Sequence, residues 1–128
     1  MLACMNLLVL TSVLAGLGSA IGHSYLGERY VLRPMFAARG DNRVLGVASM
    51  RRVTRWVWHL PSFAWAQVAL ATLWLTLAAP AELRMFSYFG AAIYLTAALA
   101  NLWAMRAPHV GNILLTIAAA TLLLGAAR

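Results

Sequence analysis

The chain has 128 residues, of which 63% are hydrophobic and only 10% are charged, and its mean hydropathy is +0.79. A soluble domain has about a quarter of its residues charged, so this composition excludes an ordinary soluble domain. The hydrophobic content also excludes disorder. A single cysteine, Cys4, excludes an internal disulfide and a multi-cysteine metal site. We therefore expect a small integral membrane protein.

Four uncharged runs of at least 21 residues divide the chain: 1–27, 56–81, 85–105 and 107–127. A helix needs about 20 apolar residues to cross the hydrocarbon core, and the alternating segments of a β-barrel are not found. We therefore predict an all-α membrane protein with one domain, 1–128. Its four transmembrane helices are expected over about 4–27, 56–79, 85–105 and 109–127. We expect the first run to be retained rather than cleaved as a signal peptide, because no Lys or Arg precedes it.

The first connection, 28–55, contains most of the charged residues. The first helix is expected to end between residues 26 and 32, because Pro34 disfavours helical geometry in the residue before it. A turn follows, with Asp41 or Asn42 as the N-cap of the next element. The remainder, 43–55, is either a short amphipathic helix at the membrane surface or an irregular arginine-rich loop.

The other two connections are short. Residues 80–84 are predicted to form a tight hairpin turn, and Pro108 fits the first turn of the fourth helix, where its missing N–H costs nothing. Short connections join antiparallel neighbours, so we expect an up-down four-helix bundle.

Arginines determine the expected orientation, since the chain contains no lysine and seven of its arginines lie in 28–55. Positive residues in short loops stay cytoplasmic. We therefore expect this arginine-rich segment to be cytoplasmic and both termini to be periplasmic, in a bacterial inner membrane. Arg51, Arg52 and Arg55 are expected to contact lipid headgroups. No soluble domain presents the arginines, so a nucleic-acid partner is not expected.

The first helix carries two sets of small residues at helical spacing. One set comprises Ser12, Gly16, Ser19, His23 and Gly27. Gly18 and Gly22 form a Gly-x-x-x-Gly spacing on an adjacent face. Small residues let helix backbones approach closely, so we expect both faces to pack on other helices.

The antiparallel arrangement places polar side chains from all four helices near the cytoplasmic end. They are His23, Glu28, His59, Ser62, Asn101, His109 and Asn112. Apart from Arg128 at the C-terminus, the outer end has only Glu82 and Arg84 as charged residues. Ionisable groups inside a membrane are costly and are therefore candidate functional groups.

The histidines have two interpretations. His23 and His59, on different helices, are candidate ligands of one haem iron or metal ion, or contacts of a quinone headgroup. We favour the other interpretation, in which they hydrogen-bond to serine or backbone partners and fix the register of the helices. The cofactor therefore remains unknown. His109 is expected to have an interfacial role, and Glu28 to pair with an arginine such as Arg52 or Arg55.

Several kinds of chemistry are missing. No carboxylate lies inside a predicted span, whereas small four-helix multidrug exporters, similar in size and span count, depend on a glutamate in their first helix. We find no phosphate loop or carboxylate dyad. Ser24 and Ser62 lie near histidines in the sequence, but no acidic group is expected to orient those histidines. An enzyme acting alone is therefore not expected.

Two segments, His-Ser-Tyr-Leu-Gly-Glu at 23–28 and Trp-His at 58–59, resemble a pattern of small bacterial four-helix integral membrane proteins with no assigned activity. In that pattern the first segment closes helix one and the second opens helix two. The match covers about the first half of the chain. The resemblance implies that His23, Glu28 and His59 belong together, and it implies no activity.

We therefore expect a non-enzymatic subunit or accessory component of a larger membrane complex, in contact with the lipid bilayer and with other membrane subunits or further copies of itself. The alternative is a redox protein that binds haem, metal or quinone through His23 and His59. A weaker alternative is an oligomeric transporter or channel for small solutes.

Overall fold

A computed structural model describes residues 6–38 and 42–127. Cys4, the predicted turn residues 39–41 and Arg128 lie outside the described residues. Every regular element in the described ranges is helical, which confirms the all-α prediction. Three helical segments, Leu7–Ala37, Ala48–Ala78 and Pro80–Met105, are long and apolar enough to cross a membrane, and Val110–Ala126 is a shorter apolar helix.

The first helical segment continues beyond its expected end. Helix α1 spans Leu7–Gly27 and is followed without a break by a π-helical turn at Glu28–Leu32 and by α2 at Arg33–Ala37. The expectation that the helix ends before Pro34 is therefore wrong. In the wider turn the N–H of Arg33 bonds to the carbonyl of Glu28, five residues back. A wide turn of this kind accommodates the proline ring, which lacks an N–H and crowds the preceding turn of a regular helix.

The arginine-rich segment is mostly helical. Asn42 caps the short α3, Arg43–Gly46, by accepting hydrogen bonds from the N–H groups of Val44 and Leu45. Helix α4 then runs without interruption over Ala48–Ala78, with Pro61 inside it. The helix of the second predicted span therefore begins eight residues earlier than residue 56.

The starts of the last two helices differ from the predicted ones. Helix α5 spans Pro80–Met105, so residues 80–84 are its first turn and not a hairpin, because proline and Glu82 both suit a helix start. Helix α6 spans Val110–Ala126 and is capped by His109, so Pro108 precedes the helix. The left-handed Arg106, with φ 53°, ends α5.

Helix α1 packs against α4 and α6, and α5 packs against α6 and, less extensively, α4. The contacts pair the start of one helix with the end of its neighbour. Near the start of α1, Asn6 Nδ2 donates to the carbonyl of Gly125, and the Ser12 hydroxyl donates to the carbonyl of Ala118. The core between the helices includes Trp65, Tyr94, Leu115 and Leu122.

The two small-residue faces of α1 differ. Gly16 is buried, and a Cβ there would collide with the hydroxyl of Tyr94 and lie 3.3 Å from Ala69 Cβ. Gly18 and Gly22 have open space where a Cβ would stand, with no described atom within 4 Å. The first face therefore packs as expected, whereas the second faces outward in the described part of the chain.

Candidate functional site

Two reciprocal histidine–serine pairs join α1 to α4. His23 Nδ1 lies 3.0 Å from the Ser62 hydroxyl, and His59 Nδ1 lies 3.0 Å from the Ser24 hydroxyl. Each helix thus contributes one histidine and one serine. His59 and Ser62, three residues apart, share one face of α4. His23 and Ser24 are adjacent on α1, and the contacts show that both reach α4.

The hydrogen-bond partners of each imidazole ring indicate which of its two nitrogens carries the proton. The 3.0 Å contact itself does not say which atom donates. Ser62 is only 5% exposed, and its hydroxyl proton has no other acceptor in the described ranges, so we infer that it donates to Nδ1 of His23. In the neutral ring the proton then sits on Nε2. For His59, Nε2 lies 3.7 Å from Glu28 Oε2. The carboxylate favours a proton on that nitrogen and leaves Nδ1 to accept from Ser24.

Aromatic rings enclose His23. The imidazole stacks on Trp58 with centroids 5.2 Å apart and an interplanar angle of 13°, and it meets Trp65 edge-on at 5.2 Å. Gly27 makes room for the indole of Trp58, because a Cβ at Gly27 would collide with Nε1 of that ring. The orientation of His23 is thus fixed by Ser62 and two tryptophans.

Glu28 binds two arginines directly after α1. Arg55 donates twice, from Nε to Oε2 and from Nη2 to Oε1, both at 3.1 Å. Arg33 donates from Nε to Oε1 at 3.4 Å. Of the two arginines expected to pair with Glu28, Arg55 forms the ion pair. Arg52 makes no ion pair in the described ranges. Arg33 was not anticipated, since its approach depends on the π-helical turn.

The expectation that no acidic group lies near a serine–histidine pair is therefore wrong. Ser24, His59 and Glu28 follow one another at 3.0 and 3.7 Å, in the order of a nucleophile, a base and an orienting acid. An acyl-transfer site also needs hydrogen-bond donors for the developing oxyanion. Ser24 lies inside α1, where the backbone N–H groups are bonded along the helix. In the described residues this row of side chains joins α1 to α4.

Two of the three remaining polar residues of the predicted cluster, His109 and Asn112, bond locally. His109 Nδ1 accepts from the N–H of Gly111 at 2.9 Å and so caps α6. Asn112 Nδ2 donates to the carbonyl of Ala107 at 3.4 Å, and Asn101 is half-buried. In residues 6–38 and 42–127 no hydrogen bond links these three side chains to His23 or His59.

Among the described residues, no group of three or more His, Cys, Asp or Glu side chains is placed to hold a metal ion. Haem or metal binding by His23 and His59 stays a prediction.

An open pocket of about 400 Å³ lies beside His23 on the flank of α1 and α4. Its lining consists of His23, Val53, Thr54, Val57, Trp58 and Pro61. The sequence does not predict this pocket. The lining residues from α4 recur at helical spacing, but they cross the boundary between the arginine-rich segment and the apolar run.

The three arginines expected at lipid headgroups have different environments. Arg51 Nη1 donates to the carbonyls of Leu45 and Gly46 at 2.8 Å, closing the end of α3. Arg55 is bound to Glu28, and Arg52 is exposed. Two of the three guanidinium groups therefore already have partners within the protein.

Comparisons with protein-family models, with curated proteins and with solved structures give no match.

Proposed function

We propose that the chain is an antiparallel four-helix bundle in a bacterial inner membrane, with spans formed by Leu7–Gly27, the apolar part of α4, α5 and α6. The arginine-rich segment 28–55 is then cytoplasmic and both termini are periplasmic. Three long apolar helices support this placement. The fourth, α6, has 17 residues and is about 26 Å long at 1.5 Å per residue, which is the lower limit for a span.

We further propose that the protein is a non-enzymatic subunit or accessory component of a larger membrane complex. The observation that carries this proposal is the mutual pairing of polar side chains across α1 and α4. The histidines, serines and Glu28 bond to one another and so fix the helix pair. Side chains paired in this way stabilise the contact between the two helices.

The face of α1 that carries Gly18 and Gly22, called here the open face, provides a surface on which a partner helix can pack. Gly18 and Gly22 face outward and leave room for close approach of another helix. The two sequence segments that contain the histidines also support kinship with the small bacterial membrane proteins that they resemble, which we propose as the family.

Blue-native electrophoresis after mild solubilisation tests this function. We expect the wild-type protein, 13.9 kDa, to co-migrate with larger partners, because a partner helix occupies the open face. Gly22→Leu should shift it to the monomer position. Ala120→Leu, a matched change at an exposed site on α6, should leave co-migration unchanged. Wild-type protein that migrates only as a monomer would contradict the proposal.

A further inference from the structure

The two histidine–serine pairs differ in what faces the second ring nitrogen. His59 Nε2 lies 3.7 Å from the Glu28 carboxylate. His23 carries its proton on the corresponding nitrogen, but that N–H makes no hydrogen bond to any described residue. His23 nevertheless lines the open pocket. A donor whose Nδ1 side is fixed by Ser62 is thus available for an acceptor that comes from outside the chain.

The pocket has the composition of a site for an amphiphile. Val53, Val57 and Pro61 supply apolar walls, and Trp58 supplies an aromatic ring. Thr54 also lines the pocket, and its hydroxyl, unlike those of Thr72 and Thr76, makes no hydrogen bond in the described ranges. Small-molecule sites combine apolar walls with a few directed polar groups in this way.

We propose that this pocket binds the carbonyl end of a lipid-soluble molecule, with the Nε2–H of His23 as the donor to the carbonyl oxygen. The inference rests on the proposed membrane placement, which puts the pocket at the cytoplasmic boundary of the bilayer. It does not depend on whether the protein has a partner subunit. Two sources present such a carbonyl there: the ester of a phospholipid and the ring of a lipid quinone.

The experiment compares two nanodisc preparations of the full chain labelled with ¹⁵N-histidine. One contains ester-linked phospholipid and the other contains ether-linked phospholipid, which has no ester carbonyl. Each is titrated with decylubiquinone, and the Nε2 resonance of His23 is followed by NMR and assigned with His23→Gln. A saturable shift of His23 in ether-linked lipid, with His109 unchanged, identifies the quinone. A His23 resonance that differs between the two lipids and is insensitive to quinone identifies the ester.

Variants distinguish an effect of the pocket from an effect on the fold. Val57→Trp fills the pocket and should abolish the response, whereas Val110→Trp, at an exposed site outside it, should not. Where the response identifies the quinone, His23→Leu should weaken binding of decylubiquinone about fivefold, measured by quenching of tryptophan fluorescence, as expected for one neutral hydrogen bond. A His23 resonance indifferent to both lipid and quinone overturns the inference alone. Failure of the chain to enter either nanodisc overturns the inference together with the membrane placement.

Discussion

Glu28 connects the first helical segment to the N-terminal part of α4. It lies just beyond the proposed first span and contacts Arg55, Arg33 and His59. Burial alone would raise the pKa of its carboxyl group, but hydrogen bonds and charge from Arg55 and Arg33 outweigh burial and hold that pKa below its usual value. A lowered carboxyl pKa means that the stabilisation is present above the usual pKa and is lost as pH falls through the lowered one.

A double-mutant cycle of Glu28→Gln and Arg55→Gln measures this ion pair. Because the Arg55 side chain is 47% exposed, solvent screens the pair, and we expect a coupling of about 0.5–1 kcal/mol in the free energy of unfolding at neutral pH. Unfolding in mixed detergent micelles gives the value, and the coupling should vanish in acid. Glu28→Gln with Arg52→Gln is the control and should show no coupling. Equal coupling to both arginines would contradict the assigned pairing.

The sequence predicts that Glu28 pairs with an arginine such as Arg52 or Arg55, because these residues flank apolar runs that are expected to end at the same membrane surface, and the structure selects Arg55. The interfacial role expected of His109 stays a prediction, and the structure shows this residue capping α6. The sequence could not assign Ser24 to His59, since both serines have a histidine nearby in the chain and only the rotation of α1 against α4 selects the partner. The position of Arg33 depends on the π-helical turn, for which Pro34 is the only sequence signal.

Glycines at different positions along α1 have different environments, although all of them lie on the same helix. Gly16 faces Tyr94 and Ala69 in the core, while Gly22 faces outward. Both sit at small-residue spacings that look equivalent in the sequence. Which face is covered is decided by the positions of α4 and α6 around α1, and no local pattern specifies those positions.

Gly16→Ala and Gly22→Ala form a matched pair that tests this difference. The first inserts a methyl group against the hydroxyl of Tyr94, and overpacking should lower the free energy of unfolding by about 1–3 kcal/mol. The second adds a methyl group in open space and should leave the isolated monomer as stable or slightly more stable, since alanine is the better helix former. Unfolding in micelles compares them. Equal losses at both sites would show that α1 is rotated differently.

Helix boundaries were harder to predict from the sequence than helix existence. The apolar runs indicate where helices must lie, but charged residues adjoining a run can extend the same helix, as in the start of α4 at Ala48. Proline was interpreted as a terminator at Pro34, where a π-helical turn accommodates it. It was interpreted as a turn residue at Pro80, where it begins a helix.

For the molecule as a whole, the distribution of charge carries more information than its net value of +7. Nine of the thirteen charged residues fall between Glu28 and Arg55, which predicts one cytoplasmic end. Three histidines at the same depth in the membrane do not have to meet at one point. They meet only if their helices are also direct neighbours in the bundle. The structure links His23 and His59 through α1 and α4, while His109 caps its own helix.

The number of spans is the central claim about the whole molecule, and α6 decides it. A fourth span returns the C-terminus to the side of the N-terminus, whereas an α6 lying on the membrane surface leaves it on the opposite side. A topology reporter fused after Arg128 measures this directly, with a second fusion within the arginine-rich segment as the cytoplasmic control. We predict a periplasmic signal after Arg128 and a cytoplasmic signal from the control. A cytoplasmic signal from both fusions would contradict the four-span bundle.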